Sequence, residues 1–267
     1  PMRARRGTAA AAIIGTAMVT GGTSGIGLAF ARALAARGCD LVLVARNRQR
    51  LDETAEELRA AHHIAVHTIV ADLADRADVD TVARRLEDTS APVDILVNNA
   101  GHGVHTPLTE QVEVHEAAID LMVRGVLVLG AAAGRTMQAR GNGLIINVGS
   151  VAGLVAMGTY SAIKSWVNTY SESLSLELEG SGVQVMTLIP GWVRTEFHGR
   201  AKIRTSAIPS FLWLAADRLV ADCLEDVEAG RTRSVPSRRF KVIAWLAQRM
   251  PRALVRRATA LIRKGRR

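Results

Sequence analysis

Thr16-Ala17-Met18-Val19-Thr20-Gly21-Gly22-Thr23-Ser24-Gly25-Ile26-Gly27 is the stretch that decides the fold. Thr16–Thr20 reads as a short buried strand, and the residues after Gly25 carry a helical apolar period to about Arg37. Glycines at the junction allow a tight turn, close approach of backbone to a pyrophosphate, and close packing of helix on strand. A helix that begins there presents unpaired N–H groups and the positive end of its dipole to phosphate. The reading places a dinucleotide site at Gly21, Thr23, Ser24, Gly25, Ile26 and Gly27.

Outward from this turn, short apolar runs alternate with helix-period segments. Strands are expected at Asp40–Ala45, 65–71, 93–98, 144–148 and 183–189, and helices at 49–61, 75–88, 112–140 and 160–179. Unbroken Val/Ile/Leu runs suit strands buried on both faces, as in a parallel sheet. The βαβα order predicts an α/β fold, a Rossmann-like doubly wound sheet. One nucleotide-binding domain is expected over 8–236, followed by a basic amphipathic extension over 237–267. An acid at the end of the second strand would bond the ribose 2′-OH of NAD. Here Ala45 and Arg46 stand at that place, with Arg48 nearby. A guanidinium matches a 2′-phosphate, so NADP(H) is the expected nucleotide.

The chain of 267 residues is 48% hydrophobic and 22% charged, which excludes a disordered chain. Cys39 and Cys223 make neither a disulfide framework nor a zinc site, and read as reduced thiols of a cytoplasmic protein. No run of eighteen apolar residues is present, so no membrane span is expected. Arg3, Arg5 and Arg6 before an apolar run imitate a signal peptide, but cleavage would remove the first strand. Residues 231–267 hold thirteen Arg/Lys and no acid against a net charge of +9, leaving −4 for the other 230 residues. The basic character belongs to an appendage.

Further motifs fall in order: Asp72 after the third strand, Asn98-Asn99-Ala100-Gly101 after the fourth, Ser150 after the fifth, Tyr160-x-x-x-Lys164, and Pro190-Gly191 with Thr195. With the glycine turn they make the chain resemble the short-chain dehydrogenase/reductase family over Thr16 to Val235. The resemblance implies that Asp72 meets the adenine, that Asn98, Asn99, Ala100 and Gly101 line the central groove, that Thr195 approaches the nicotinamide amide, and that Pro190 and Gly191 also bind the cofactor. Tyr160 and Lys164 would also hold the cofactor, Lys164 through its ribose. Four residues apart on a helix, Tyr160 and Lys164 share a face. An ammonium nearby is expected to lower the phenol's pKa and fit it for proton transfer. Ser150 can hydrogen-bond a substrate carbonyl. The catalytic set is therefore Ser150, Tyr160 and Lys164.

Two departures stand out. Met122 occupies the place where the family carries an Asn thought to distort the helix and hold a relay water, and Ser150 to Tyr160 is about three residues short. No metal is expected: His62, His63 and His67 straddle a helix end and a strand. His102 and His105 follow the groove as candidate pocket residues. Trp192, Phe197 and Phe211–Leu214 fall where the family has its substrate lid, and their apolar content suits a lipophilic substrate. The pattern also resembles actinobacterial-type ketoacyl reductases. It implies NADPH-dependent reduction of a 3-ketoacyl substrate, with a steroid or xenobiotic ketone, or a weakly active NADP-binding regulator, as alternatives. A homodimer or homotetramer is expected. Nucleic acid is not, because aromatic residues are few and no recognition module is visible. The tail is read either as a peripheral membrane contact through Phe240, Ile243, Trp245 and its arginines or as a helix that docks on the body or on a second subunit.

Overall fold

A computed structural model describes residues 11, 13–194 and 213–249. Strands β1 (Thr16–Thr20), β2 (Asp40–Ala45), β3 (Val66–Val70), β4 (Ile95–Asn98), β5 (Gly143–Val148) and β6 (Val183–Leu188) alternate with helices. The helices are α1 (Gly25–Ala35), α2 (Arg48–His62), α3 (Arg76–Glu87), α4 (Val112–Ile119), α5 (Gly125–Arg140) and α6 (Thr159–Glu177). The sheet is parallel throughout, in the order β3-β2-β1-β4-β5-β6-β9. Its seventh strand, β9 (Arg233–Ser234), pairs with Thr187 and Leu188 and was not anticipated, because two residues carry no periodicity. A small parallel pair, β7 (Trp192–Arg194) with β8 (Trp213–Ala215), lies apart. Helices α7 (Ala216–Glu228) and α8 (Arg238–Arg249) complete the described chain.

Alternation within each strand divides the core between two faces. Leu41 and Leu43 of β2 join Phe30, Leu34, Cys223 and Leu224 on the side of α1 and α7. Val42 and Val44 join Val79, Leu129 and Met137 on the side of α3 and α5. The sheet order turns back between β1 and β4, which opens a crevice at their carboxyl ends.

The expected 112–140 helix is a single rod with a wider turn inside it: Asp120–Arg124 is π-helical, closed by the Gly125 N–H on the Asp120 carbonyl. By length and composition this rod could cross a bilayer, with an 18-residue stretch of mean hydropathy 1.7. Half of that stretch is buried, and Leu129, Ala132, Ala133 and Met137 belong to the core, so it is a core helix here.

Helix α8 is docked on the body. Phe240 is buried against Trp192, ring centroids 6.1 Å apart, and leaves no room for a Cβ at Gly191. Val242, Trp245 and Leu246 face outward and are exposed, with the Arg249 guanidinium 5.2 Å from the Trp245 ring.

Candidate active site

The crevice is an open cleft of about 860 Å³. Gly21, Thr23, Ser24, Ala45, Arg46, Asp72, Ala100, Gly101 and His102 line it. Gly21 adopts φ +66°, and Gly27 packs so closely that a Cβ there would strike the Gly21 carbonyl. The Ser24 side chain caps none of the first N–H groups of α1, so Gly25, Ile26 and Gly27 stand at a helix end suited to an anion. This backbone cradle, which side chains would fill, fits a dinucleotide pyrophosphate. The Arg46 guanidinium lies 3.9 Å from Asp72 at the cleft's far end, both exposed. Asp72 also accepts the Ala74 N–H at 3.0 Å.

Asn98 is buried behind the cleft, where its amide donates to Asn147 at 2.9 Å. Asn147 in turn donates to Ser171 at 3.0 Å. It ties strands β4 and β5 to α6. Asn99 donates to the Thr20 carbonyl at 2.9 Å, clamping the glycine turn. Two cleft residues, Asn47 and Arg50, escaped the sequence reading. Arg48 begins α2 and is not among the lining residues. Counting one helical turn from the Asn47 cap would have found Arg50, whose N–H that cap accepts at 2.9 Å.

Ser150 ends β5 and is buried; its Oγ accepts the Ala152 N–H at 3.1 Å. That leaves the hydroxyl proton to donate. Asn168, on α6, donates to the Ser150 carbonyl at 3.1 Å. Tyr160 and Lys164 occupy the first turns of α6. The Lys164 Nζ is buried, donates to the Val148 carbonyl at 2.6 Å, and lies 5.8 Å from the Tyr160 ring centroid. The expected drop in the tyrosine pKa is absent: burial pushes Tyr160 up to about 12, against the lowering hydrogen bond from Ser150. The same burial brings Lys164 down to about 8. Desolvation is the leading cause at both groups. Tyr160 is therefore a protonated phenol at neutral pH.

The shortened connection joins Ser150 to Tyr160. Val151–Leu154 forms a 3₁₀ turn capped by Ser150, and Gly158 at φ +91° delivers the chain into α6. Met122 is buried with its Sδ over Gly101, where a Cβ would come within 2.8 Å of it. The helix is widened at Met122 without the family's Asn, so that distortion does not require an amide. Pro190 accepts the Val151 N–H at 3.0 Å, joining the Ser150 loop to Gly191. Thr195, Phe197, Phe211 and Leu212 lie outside the described residues. His63 is the left-handed cap of α2, φ 55°, and His102 contacts the Gly103 carbonyl at 3.1 Å. Cys39 and Cys223 are free and buried, and burial raises both thiol pKa values.

The short chain dehydrogenase model matches residues 15–205. A galactitol 2-dehydrogenase (L-tagatose-forming) of Cereibacter sphaeroides is 38% identical over 202 residues, 73% of this chain and 78% of that protein. A short-chain dehydrogenase from Sphingobium yanoikuyae, solved with NADPH, superposes with TM-score 0.80 at 35% identity, over 87% of this chain and 93% of that one. The bulky-bulky ketone specific alcohol dehydrogenase of Comamonas testosteroni gives TM-score 0.76 at 30% identity, over 87% and 92%. An NAD(P)-type cleft, a Ser-Tyr-Lys set with Ser150 and Lys164 buried and Tyr160 half-buried, and a family match over most of its length agree: the chain is an oxidoreductase that belongs to the short-chain dehydrogenase family.

Proposed function

We propose that this chain reduces a lipophilic ketone, of the 3-ketoacyl type, with NADPH. The carrying observation is the segment between Ser150 and Thr159: Val-Ala-Gly-Leu-Val-Ala-Met-Gly holds no polar side chain and is mostly half-buried beside the catalytic residues. Trp192 and Phe240 add an aromatic pair next to Gly191. Such a wall favours apolar substituents, since each buried methylene contributes about 0.8 kcal/mol. When bound, the nicotinamide supplies a hydride to the carbonyl carbon. Ser150 turns its hydroxyl proton from Tyr160 to the carbonyl oxygen, and Tyr160 transfers its phenolic proton there. Lys164 then stabilises the phenolate by its charge. Arg46, with Arg50 beside it in the cleft, would hold the 2′-phosphate.

Tyr160→Phe is expected to keep NADPH binding and lose reduction by about 10²–10⁴-fold, the usual contribution of a general acid. Reduction at the wild-type rate would remove Tyr160 from this role. A second reading, a polyol–ketose pair, is favoured by the likeness to galactitol 2-dehydrogenase. Competition of ketoacyl thioesters, steroids, bulky ketones and ketoses for one NADPH assay separates these substrates.

The proposal includes a homodimer or homotetramer, supported by the exposed Val112, Val114, Ile119 and Leu127 on α4 and α5. It also includes a cytoplasmic enzyme touching anionic membranes through the outer face of α8. Trp245→Glu should abolish co-sedimentation with phosphatidylglycerol vesicles; no binding by the intact chain would end the idea.

A further inference from the structure

His115 is a buried imidazole with no place in the chemistry above, and every polar atom of it is engaged. It stands on α4 with 7% exposure. Its Nε2 lies 3.0 Å from the Pro107 carbonyl and 3.1 Å from the Glu110 carbonyl. Carbonyls only accept, so this nitrogen carries the proton. In the neutral ring Nδ1 is then the acceptor. It lies 2.7 Å from the Thr159 Oγ1, so the threonine hydroxyl donates to it. Thr159 is itself buried, 6% exposed, and is the residue immediately before Tyr160.

The first turn of α6 has no side-chain cap of its own. Its N-cap is Gly158, which has no side chain to cap with. The chain reaches it through eight residues without a polar side chain. Below the hydrogen bond, Val104, Ala118 and Met122 pack against Ile163 and Val167, so α4 and α6 share a small apolar cluster. Asn168 fixes the Ser150 end of the site from α6.

We infer that His115 is a positioning residue: it braces Thr159, and through it the backbone of Tyr160, against the 107–110 loop. This rests on the reading of Tyr160 as the proton donor. The short connection then need not set the Ser150-to-Tyr160 geometry by itself, because α4 does so from the side. A displacement of about 1 Å at a reacting group can cost on the order of 10²-fold in rate.

The test compares Thr159→Val, which keeps the volume and removes the hydroxyl, with Thr159→Ser, which keeps the hydroxyl. NADPH-dependent reduction of the best ketone is measured with the NADPH Kd and the melting temperature. Thr159→Val is expected to lower kcat by about tenfold with the NADPH Kd within about twofold, and Thr159→Ser to recover most of the rate. Adding Thr159→Val to His115→Ala should cost nothing further, because the bond is already gone. Wild-type kcat in Thr159→Val, or additive losses that follow melting temperature alone, would overturn the brace. Tyr160→Phe is run beside them: if it stays active, the proton-donor reading fails; if it is inactive while Thr159→Val is unaffected, only the brace fails.

Discussion

The cleft at the carboxyl ends of β1–β4 and the Ser150, Tyr160 and Lys164 cluster beyond β5 are built by opposite means. The nucleotide end is made of backbone: glycines at 21 and 27, an uncapped helix start, and cations such as Arg46 left exposed in an open cleft. The chemical end is made of buried side chains, with Ser150 and Lys164 almost out of contact with solvent. Backbone recognises a group common to many nucleotides and tolerates water. At the other end burial moves the pKa values themselves, Tyr160 upward and Lys164 downward. Substitutions at the two ends should therefore fail differently: affinity and preference at one, turnover and pH dependence at the other.

The sharpest contrast comes from Lys164. Its replacement by Met should cost reduction about 10²–10⁴-fold. In the wild type the rate should fall as pH passes about 8, where the buried ammonium loses its proton. Stability follows with a fixed sign. The folded pKa lies below the unfolded 10.5, so between about 8 and 10.5 the unfolded chain binds more protons and stability rises with pH. Chemical denaturation at pH 7, 8, 9 and 10 should show that rise in the wild type and not in Lys164→Met. A parallel rise in both would place the titration elsewhere.

At the nucleotide end the effect is smaller because solvent screens it. NADPH should be preferred over NADH by at least about tenfold in kcat/KM, and Arg46→Ala should remove most of that, about 1.4 kcal/mol. Arg50→Ala should remove the remainder. Equal use of both nucleotides by the wild type would break the assignment. The smallest effect is expected at Met122, which touches the groove at Gly101 but takes no part in the hydrogen bonds described. Met122→Asn should raise kcat a few-fold with little change in NADPH affinity, by giving a relay water one of the roughly two to four polar partners it needs. An unchanged or lower kcat in a folded variant would make Met122 a packing residue.

Much of the site was legible because its motifs are local. The glycine turn, Ser150 at a strand end and Tyr160 one helical turn from Lys164 each declare their geometry within a few residues. Arg46 was legible from the end of β2, but Arg50 was missed, since which turn of α2 faces the cleft depends on how that helix packs. The direction of the Tyr160 shift was misread for a related reason: sequence shows a cation four residues away, not how deeply the phenol is buried.

By itself the sequence determined the order of strands and helices, the parallel sheet and the nucleotide turn, because apolar period and glycine placement act over short stretches of chain. Only the tertiary structure decided that Phe240 of the basic extension seats on Gly191 and that two residues near 233 add a seventh strand. It alone decided that the helix widens at Met122 and that His115 meets Thr159, 44 residues along the chain. These contacts join segments remote in sequence, and their energies exist only once the sheet has brought those segments together.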